Sequence, residues 1–244
     1  MQPNSILTKT VQRDNITICF NSSLLTEPPE KVFDIQYWQQ QDKVLGSAQG
    51  RGITWFVQGK QSDFALRHYY RGGLFGKLVH DSYLMPKDIN QTRAFKEFSL
   101  LVHLHANQVP VPQPAAARVI RLGAIYTADI LTEKIPNSRD LVAVLQETSL
   151  PQAIWKTIGH VIRRLHDAQV NHTDLNAHNI LLDDHQQIWL IDFDKCNIMQ
   201  GNHWKKTNLD RLARSFYKEK DKSQIAFSRK DWQILLQSYN SNTK

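Results

Sequence analysis

The sequence lacks several features that would assign a protein to a membrane or secreted class. It contains no run of eighteen apolar residues, so we expect no membrane-spanning helix. The first five residues carry neither the basic stretch nor the apolar run of a secretory signal. Only two cysteines, Cys19 and Cys196, occur in 244 residues, which favours a reducing compartment, although one disulfide stays possible. These absences predict a cytoplasmic protein.

Signatures of zinc and RNA binding are missing as well. Ten histidines are present, but the sequence has no Cys-x-x-Cys pair and no His-Glu-x-x-His. It also has no basic surface pattern with interleaved aromatic residues, so we expect no nucleic-acid partner. The net charge of +7 nevertheless predicts anionic partners, and charge alone fits nucleic acid, acidic lipid head groups and phosphorylated substrates.

Patterns of secondary structure divide the chain into a strand-rich first half and a helical second half. Strands rich in β-branched and aromatic residues are predicted at 14–20, 53–57, 64–69, 116–122 and 124–132, with a helix at 89–106. After Glu133 we predict helices at 138–147, 151–168, 205–219 and 229–239. This order indicates an α+β fold with an N-lobe at 1–133 and a C-lobe at 134–244. We expect the lobes to meet near 132–136, with ATP between them.

The most informative run is Asn171 to Asn179, which reads N-H-T-D-L-N-A-H-N, and D-F-D follows it from Asp192. Asp174 stands five residues before Asn179, and Asp192 stands thirteen residues after it. Phosphoryl transfer from ATP needs one carboxylate to receive the acceptor's proton, and a carboxylate with an amide oxygen to hold Mg²⁺. The kinase signature H-R-D-L-x-x-x-N followed by D-F-G has this spacing and predicts a protein-kinase-like fold.

A predicted hairpin supports this interpretation. Strands at 180–182 and 188–191 flank a turn, and their pairing would bring Asn179 close to Asp192. A polar loop beside a plain hairpin would explain a lone H-x-D, because Asp and Asn favour turns, but not the whole spaced set. Asp194 replaces the glycine of D-F-G and is a candidate for a second Mg²⁺ or for a hydrogen bond to the local backbone. We expect His172 to brace the loop.

Three glycines precede the strand at 53–57, where a kinase has its glycine-rich loop. Gly46, Gly50 and Gly52 form G-x-x-x-G-x-G, which differs from the usual G-x-G-x-x-G. Glycine lets the backbone approach phosphate groups and present N–H donors to them. A tight turn between strands would use the same glycines, so both interpretations stay open, with Gly50 and Gly52 as candidate nucleotide contacts.

The phosphate clamp of a kinase is a lysine in V-A-I-K, held by a helix glutamate. In this chain Ala65 and Arg67 occupy the alanine and lysine positions, and Glu97 on the following helix is the candidate partner. A guanidinium can contact phosphate oxygens and a carboxylate together. Both charges could instead be solvated, and Lys77 is an alternative clamp.

Several runs resemble the 3-deoxy-D-manno-octulosonic acid (Kdo) kinases of Gram-negative bacteria, which are grouped with the lipopolysaccharide core heptose kinases. They are N-H-T-D-L-N-A-H-N-I-L-L-D, W-L-I-D-F-D-K-C, the glycine stretch with 51–57, L-R-H-Y-Y-R-G-G and N-L-D-R-L-A-R. The resemblance implies transfer from ATP with Mg²⁺ to the 4-hydroxyl of Kdo on a lipid A precursor. It places the protein peripherally at the cytoplasmic face of the inner membrane. By matching motif, Asp174 is the base, Asn179 and Asp192 are metal ligands, and Glu97 is the helix partner.

Other classes stay open on the residues alone. A conventional protein kinase is disfavoured, because no A-P-E follows Asp192, only 52 residues remain after it, and Thr173 replaces the arginine of H-R-D. An aminoglycoside- or choline-type phosphotransferase and an atypical protein kinase fit the motif. A non-catalytic nucleotide-binding module would not need all three motif residues. The basic residues that we expect to contact an anionic membrane surface are Arg71, Lys77, Lys205 and Lys206.

Overall fold

The computed structural model describes residues 6–49, 52–70 and 81–241. Contacts within the chain define two compact units, one of residues 1–102 with 112–134 and one of 103–111 with 135–244. The first unit is built on an antiparallel sheet and the second is mainly helical, so the predicted α+β class is confirmed. The assignment of 1–133 and 134–244 to two lobes of a kinase stays a prediction.

The first unit contains a large antiparallel sheet. Its strands follow the order β1-β2-β7-β8-β5-β4-β3, and the short β6 pairs with β8. Their bounds are β1 Thr8–Arg13, β2 Ile16–Asn21, β3 Val44–Gln49, β4 Ile53–Gln58, β5 Asp63–His68, β6 Tyr83–Leu84, β7 Pro114–Leu122 and β8 Ile125–Glu133. The predicted strand at 14–20 begins too early, because Asp14 has φ +50° and forms the turn between β1 and β2.

One face of this sheet packs on the segment that joins β2 to β3. That segment contains α1 (Ile35–Gln39), whose N-terminus is capped by the Asp34 side chain. The indole of Trp38 is fully buried and donates a hydrogen bond to the carbonyl of Val32 at 2.9 Å. Alternate residues of β5, Phe64 and Leu66, belong to the same core, so the residues between them point to the other face of the sheet.

A long helix, α2 (Arg93–Ala106), follows a single 3₁₀ turn at Ile89–Gln91. The predicted helix at 89–106 is therefore broken near its start, because Thr92 has an extended conformation that no α-helix contains. The buried residues of α2 include Phe95, Phe98 and Leu101, and these recur at helical spacing as predicted.

The second unit is built from four helices, α3 (Leu141–Glu147), α4 (Gln152–Asp167), α5 (Lys205–Ser223) and α6 (Arg229–Asn240). The predicted core face of α4 is confirmed, since Trp155, Ile158, Ile162 and Leu165 are all fully buried. Gly159 lies on the same helix, and a Cβ there would clash with the backbone of α6, so glycine allows the close packing of α4 on α6. No helix in the described part of the chain is long and apolar enough to cross a membrane.

Short strands complete the second unit. They are β9 (Arg139–Asp140), β10 (Val170–Asn171), β11 (Ile180–Leu182), β12 (Ile188–Leu190) and β13 (Asn197–Ile198). The predicted hairpin is present, with β11 antiparallel to β12, while β9 pairs with β11 and β10 pairs with β13. The predicted helix at 138–147 starts later, because Asp140 caps α3 by accepting hydrogen bonds from two of its first backbone N–H groups.

Candidate active site

The loop that carries Asp174 is held together by its own side chains. The carbonyl of Asp174 accepts hydrogen bonds from the side-chain amides of Asn176 and Asn179, both at 2.9 Å. The side-chain oxygen of Asn176 accepts from the backbone N–H groups of His178 and Asn179 at 2.9 and 3.2 Å. The NH₂ group of Asn179 is used in this way, and its amide oxygen, which can only accept, takes no part in these bonds.

The hairpin β11–β12 positions the second carboxylate next to this loop. The carbonyl of Asn179 accepts a hydrogen bond from the backbone N–H of Ile191 at 3.1 Å, one residue before Asp192. Asp192 itself has φ +65°, a left-handed conformation that few residues other than glycine adopt. Such backbone conformations cluster at functional sites, where the fold holds a side chain in a required direction. The Asp192 side chain is on the solvent-exposed side of the unit.

His172 joins the loop to the end of the hairpin, in agreement with its predicted bracing role. It is fully buried, and its Nε2 lies 3.0 Å from the carbonyl oxygen of Ile191, which can only accept. Nε2 therefore carries the hydrogen, and burial lowers the pKa of this imidazole, so His172 is neutral. Its ring also packs on Phe193, with centroids 4.9 Å apart.

Helix α5 runs along the loop and contacts it once in every turn. The side chains of Asn208, Arg211, Ser215 and Glu219 form one face of the helix. Their partners are the His172 N–H at 3.1 Å, Asp174 Oδ1 at 3.3 Å, the Ala177 N–H at 2.9 Å and His178 Nε2 at 3.7 Å, in that order. In the sequence, Asn208 and Arg211 stood out only as part of the N-L-D-R-L-A-R run that resembles the Kdo kinases, and no role was predicted for this face of the helix. Polar residues at helical spacing are normal on any exposed helix, so their spacing alone does not indicate the contact.

The predicted ion pair of the first unit is present. Arg67 Nη2 lies 2.7 and 2.6 Å from the two carboxylate oxygens of Glu97, which is buried on α2. The hydroxyl of Tyr69 donates a third hydrogen bond to Glu97 at 2.6 Å, and the Arg67 guanidinium lies 5.0 Å from the centre of the Tyr69 ring. Glu97 thus fixes the arginine, while 28% of the Arg67 side chain stays exposed.

A second charged network occupies the neighbouring position of β5. His68 Nδ1 lies 2.7 Å from the buried carboxylate of Asp129, which also accepts from Arg118 Nε at 2.9 Å. The hydrogen bond to Asp129 raises the pKa of His68. Charged side chains therefore anchor both faces of β5 where Arg67 leaves the strand. No pattern in the sequence indicated a partner for His68.

The predicted glycine-rich loop falls where the antiparallel strands β3 and β4 are joined, and residues 50–51 of it lie outside the described residues. Gly46 lies within β3 at a register shift with φ +149°, which glycine adopts readily. A Cβ on Gly52 would clash with the ring of Tyr70, so this glycine has a packing role whatever else it does. Ala65 pairs in the sheet with Phe56 and Thr132. Gly50, Arg71 and Lys77 lie outside the described residues.

The predicted metal site combines carboxylates with the amide of an asparagine, so it is not a cluster of acidic, histidine or thiol side chains alone. In the ranges that the structure describes, no group of three or more His, Cys, Asp and Glu side chains is placed to hold a metal. The predicted set has two carboxylates, Asp192 and the half-buried Asp194, with the amide of Asn179. Its role in binding Mg²⁺ stays a prediction. Cys19 and Cys196 do not form the disulfide that the sequence left open.

A cavity of about 960 Å³ in the first unit contains none of these residues. It lies between α2 and the β1–β2–β7 side of the sheet, where Thr10, Cys19, Phe95 and Phe98 line it. Neither Arg67 nor Glu97 lines the cavity, so the cavity is separate from their ion pair. The candidate site is therefore defined by its side-chain chemistry and not by this cavity.

Asp174, Asn179 and Asp192, at kinase spacing on a loop braced by His172, form an arrangement that is typical of a kinase. A model of the lipopolysaccharide kinase (Kdo/WaaP) family matches residues 35–239, so the chain belongs to that family. A protein named 3-deoxy-D-manno-octulosonic acid kinase from Photobacterium damsela subsp. piscicida is 56% identical over 233 residues, covering 95% of this chain and 97% of that protein.

Two further relatives with the same name extend this similarity to other genera. The protein of Vibrio cholerae is 53% identical over 218 residues, which cover 89% of this chain and 92% of the relative. The protein of Haemophilus influenzae (strain 86-028NP) is 48% identical over 237 residues, which cover 94% and 98%. The chain is thus a phosphotransferase, as the sequence predicted.

Proposed function

We propose that this kinase transfers the γ-phosphoryl group of ATP to the 4-hydroxyl of Kdo on a lipid A precursor. The observation that carries the proposal is the arrangement of Asp174, Asn179 and Asp192 on one loop and hairpin. Relatives that match nearly the whole chain are named Kdo kinases, which supports Kdo as the acceptor. In this proposal the chain has the two-lobed, protein-kinase-like fold.

Asp174 acts as the base in this reaction. Its backbone carbonyl is tied to Asn176 and Asn179, while its side chain is about half exposed and open to an acceptor. An acceptor hydroxyl within hydrogen-bond reach of its carboxylate would be oriented for attack and would lose its proton there as the new bond to phosphorus forms. The hydrogen-bonded loop holds the carboxylate in place before the substrate arrives.

Asn179 and Asp192 would hold Mg²⁺, with Asp194 as a candidate for a second ion. Their donors are carboxylate and amide oxygens, which are the ligands that this hard cation prefers. The amide of Asn179, whose NH₂ group is tied to the loop, and the left-handed backbone of Asp192 fit that role. When bound, Mg²⁺ neutralises charge on the phosphate oxygens during transfer.

Arg67 would bind ATP phosphates, with Glu97 holding it in position. Its remaining exposure is compatible with a ligand, and its charge persists at every relevant pH. Gly50 and Gly52, together with Ala65, would contact the rest of the nucleotide. The pair with Glu97 resembles the lysine–glutamate pair of protein kinases, with arginine in place of lysine.

The acceptor is a lipid, so we propose that the protein docks peripherally on the cytoplasmic face of the inner membrane. The net charge of +7 fits an anionic bilayer surface. Lys205 and Lys206 at the start of α5 are candidates for this contact, and Lys206 already pairs with Asp210 at 2.7 Å. Arg71 and Lys77 are further candidates from the sequence.

Transfer of labelled phosphate from ATP to a panel of acceptors tests the proposal. The panel contains a Kdo-lipid A precursor, the same lipid without Kdo, an aminoglycoside and casein. We expect label on the Kdo-containing lipid alone, and only with Mg²⁺ present. Equal transfer to the aminoglycoside or to casein would contradict the proposed acceptor, and transfer to the lipid without Kdo would place the phosphate on another group.

A further inference from the structure

The face of α5 that follows the catalytic loop places a cation on the proposed base. Arg211 Nη1 lies 3.3 Å from Asp174 Oδ1, and the two side chains are 46% and 49% exposed. Among the residues that the structure describes, Asp174 is the one hydrogen-bond partner of the Arg211 side chain. A guanidinium has five N–H donors, and this hydrogen bond uses one of them, so the half-exposed Arg211 has further donors for a ligand beside the base.

Stability of the fold gives little reason for this pair. Ion pairs between exposed side chains contribute about 0–1 kcal/mol, because water screens the charges and both side chains lose freedom. The position of Arg211 is nevertheless well determined. Asn208, one turn earlier, and Ser215, one turn later, both hydrogen-bond the catalytic loop. The helix therefore presents Arg211 to Asp174 from a fixed backbone.

We propose that Arg211 binds the carboxylate of the acceptor sugar and thereby selects an acidic sugar. The inference rests on the proposed function, which makes Kdo the acceptor. A hydroxyl that reacts at Asp174 must lie about 2.6–3.2 Å from its carboxylate. Arg211 contacts the same carboxylate, so the guanidinium lies beside the reacting end of the acceptor.

The chemistry of Kdo fits this placement. Its carboxylate is attached to a ring carbon that one further ring carbon separates from the carbon bearing the 4-hydroxyl. A sugar that directs this hydroxyl to Asp174 can direct its carboxylate to the planar fork of Arg211, where two parallel N–H···O bonds can form. Arg211 then orients the hydroxyl and discriminates against neutral sugars. It leaves proton transfer to Asp174.

The test compares two acceptors, a Kdo-lipid A precursor and the same molecule with the Kdo carboxylate reduced to a hydroxymethyl group. For the wild-type kinase we expect kcat/KM to favour the acid by about 10- to 100-fold, as expected for hydrogen bonds to a charged group. In Arg211→Gln this preference should fall close to unity, mainly through lower kcat/KM for the acid. Arg211→Lys should retain part of the preference, because it keeps the charge without the fork.

Arg214 provides the matched control. It is exposed one turn further along α5, and in the described part of the chain no hydrogen bond or ion pair joins it to the catalytic loop. Arg214→Gln should keep the wild-type preference, and KM for ATP and the unfolding temperature should be unchanged in both glutamine variants. These controls separate acceptor binding from damage to the fold.

Two outcomes would overturn the inference while leaving the proposed function intact. One is a wild-type enzyme that phosphorylates both acceptors equally well. The other is an Arg211→Gln variant that loses the same factor on both, since that would mean Arg211 acts only through Asp174. Absence of transfer to either acceptor by the wild-type kinase would instead overturn the proposed function, and the inference with it.

Discussion

The two units support their candidate functional groups with different kinds of buried side chain. In the first unit the supports are charged: Glu97 is buried against Arg67, and Asp129 is buried against His68 and Arg118. In the second unit the side chains that hold the backbone of the Asp174 loop are neutral, with His172 and Asn208 buried on hydrogen bonds to the backbone, while the charged Arg211 and Glu219 contact side chains of the loop.

This difference separates activity from stability in one unit and couples them in the other. Removing one partner of a buried charge pair leaves the other charge without compensation, which is costly. The candidate catalytic carboxylates Asp174 and Asp192 are instead at least partly exposed, and neutral groups hold the backbone around them. Substitutions at the two carboxylates should therefore change rates, whereas substitutions at the ion pair should change both rates and stability.

The largest effect is expected for Asp174→Asn. The amide keeps the shape of the side chain but cannot take the acceptor's proton, so kcat should fall by about 10²–10⁴-fold. The unfolding temperature and the Kd for ATP should stay close to wild type, because the substitution removes one exposed ion pair with Arg211. Steady-state transfer, ATP titration and thermal melting check the three quantities, and turnover near wild type would exclude Asp174 as the base.

Asp192 allows charge and backbone conformation to be separated. Both Asp192→Asn and Asp192→Ala should weaken binding of Mg²⁺-ATP, since each removes the charge of a metal ligand. Turnover should fall by about tenfold or more in both variants. Only alanine should also destabilise the fold, by about 1 kcal/mol, because Asn tolerates a φ of +65° and Ala does not. Denaturant unfolding of the two variants measures this difference, and equal stability would show that the conformation of Asp192 is not strained.

The ion pair should show the coupling of stability and activity. Glu97→Gln removes the buried charge that faces Arg67, and we expect a loss of about 2 kcal/mol in the free energy of unfolding and a higher KM for ATP. Arg67→Lys should lose less of both, because it keeps a charge for Glu97 and for phosphate. A variant Glu97→Gln with unchanged stability would remove the contrast between the units.

The histidines should give the two units opposite responses to pH. The folded-state pKa of His68 is raised above 6.5, so its contribution to stability is complete below pH 6.5 and is lost as pH rises through the folded pKa. Burial lowers the pKa of His166 to about 4, so this histidine contributes above pH 6.5 and its contribution is lost as pH falls toward 4. Unfolding free energies measured across this range should show a smaller alkaline slope in His68→Asn and a smaller acid slope in His166→Asn, where the buried His172 still contributes.

The smallest effect concerns the membrane. Lys205→Glu with Lys206→Glu should raise KM for the lipid acceptor, since each lysine near an anionic bilayer contributes about 1 kcal/mol, and should spare KM for ATP. Binding to vesicles that contain the acceptor should weaken as salt rises, because the Debye length shortens. Arg229→Glu with Lys230→Glu, two exposed changes at the start of α6, is the control of equal charge. If vesicle binding changes with neither salt nor charge reversal, the start of α5 is not a docking surface.

Long periodic elements and the hairpin could be predicted from the sequence, because each carries its own local signal. The α4 core face and the pairing of β11 with β12 are examples. The edge strand β1 could not be predicted, since five of its six residues are exposed and give no alternation. Two-residue strands such as β10 and β13 have no period at all, and distant pairing alone defines them.

The same distinction applies to the candidate site, where some residues have a local sequence signal and others depend on tertiary packing. Asp174, Asn179 and Asp192 could be found because their spacing follows from chemistry within one loop and hairpin. The partners of these residues on α5 come from more than thirty positions further along the chain, and their contacts depend on tertiary packing. Glu97 is an intermediate case. Its place on the helix after Arg67 made it the candidate partner of that arginine, whereas the hydrogen bond that it accepts from Tyr69 is visible only in the structure.

The most direct test of the account is the position of the transferred phosphate. A Kdo-lipid A precursor is incubated with ATP, Mg²⁺ and either the wild-type kinase or Asp174→Asn, and the product is examined by proton–phosphorus NMR correlation. We predict one new phosphomonoester coupled to the proton on carbon 4 of Kdo with the wild type, and almost none with the variant. A phosphate on the glucosamine part of the lipid, on another Kdo hydroxyl or on the protein would contradict the account.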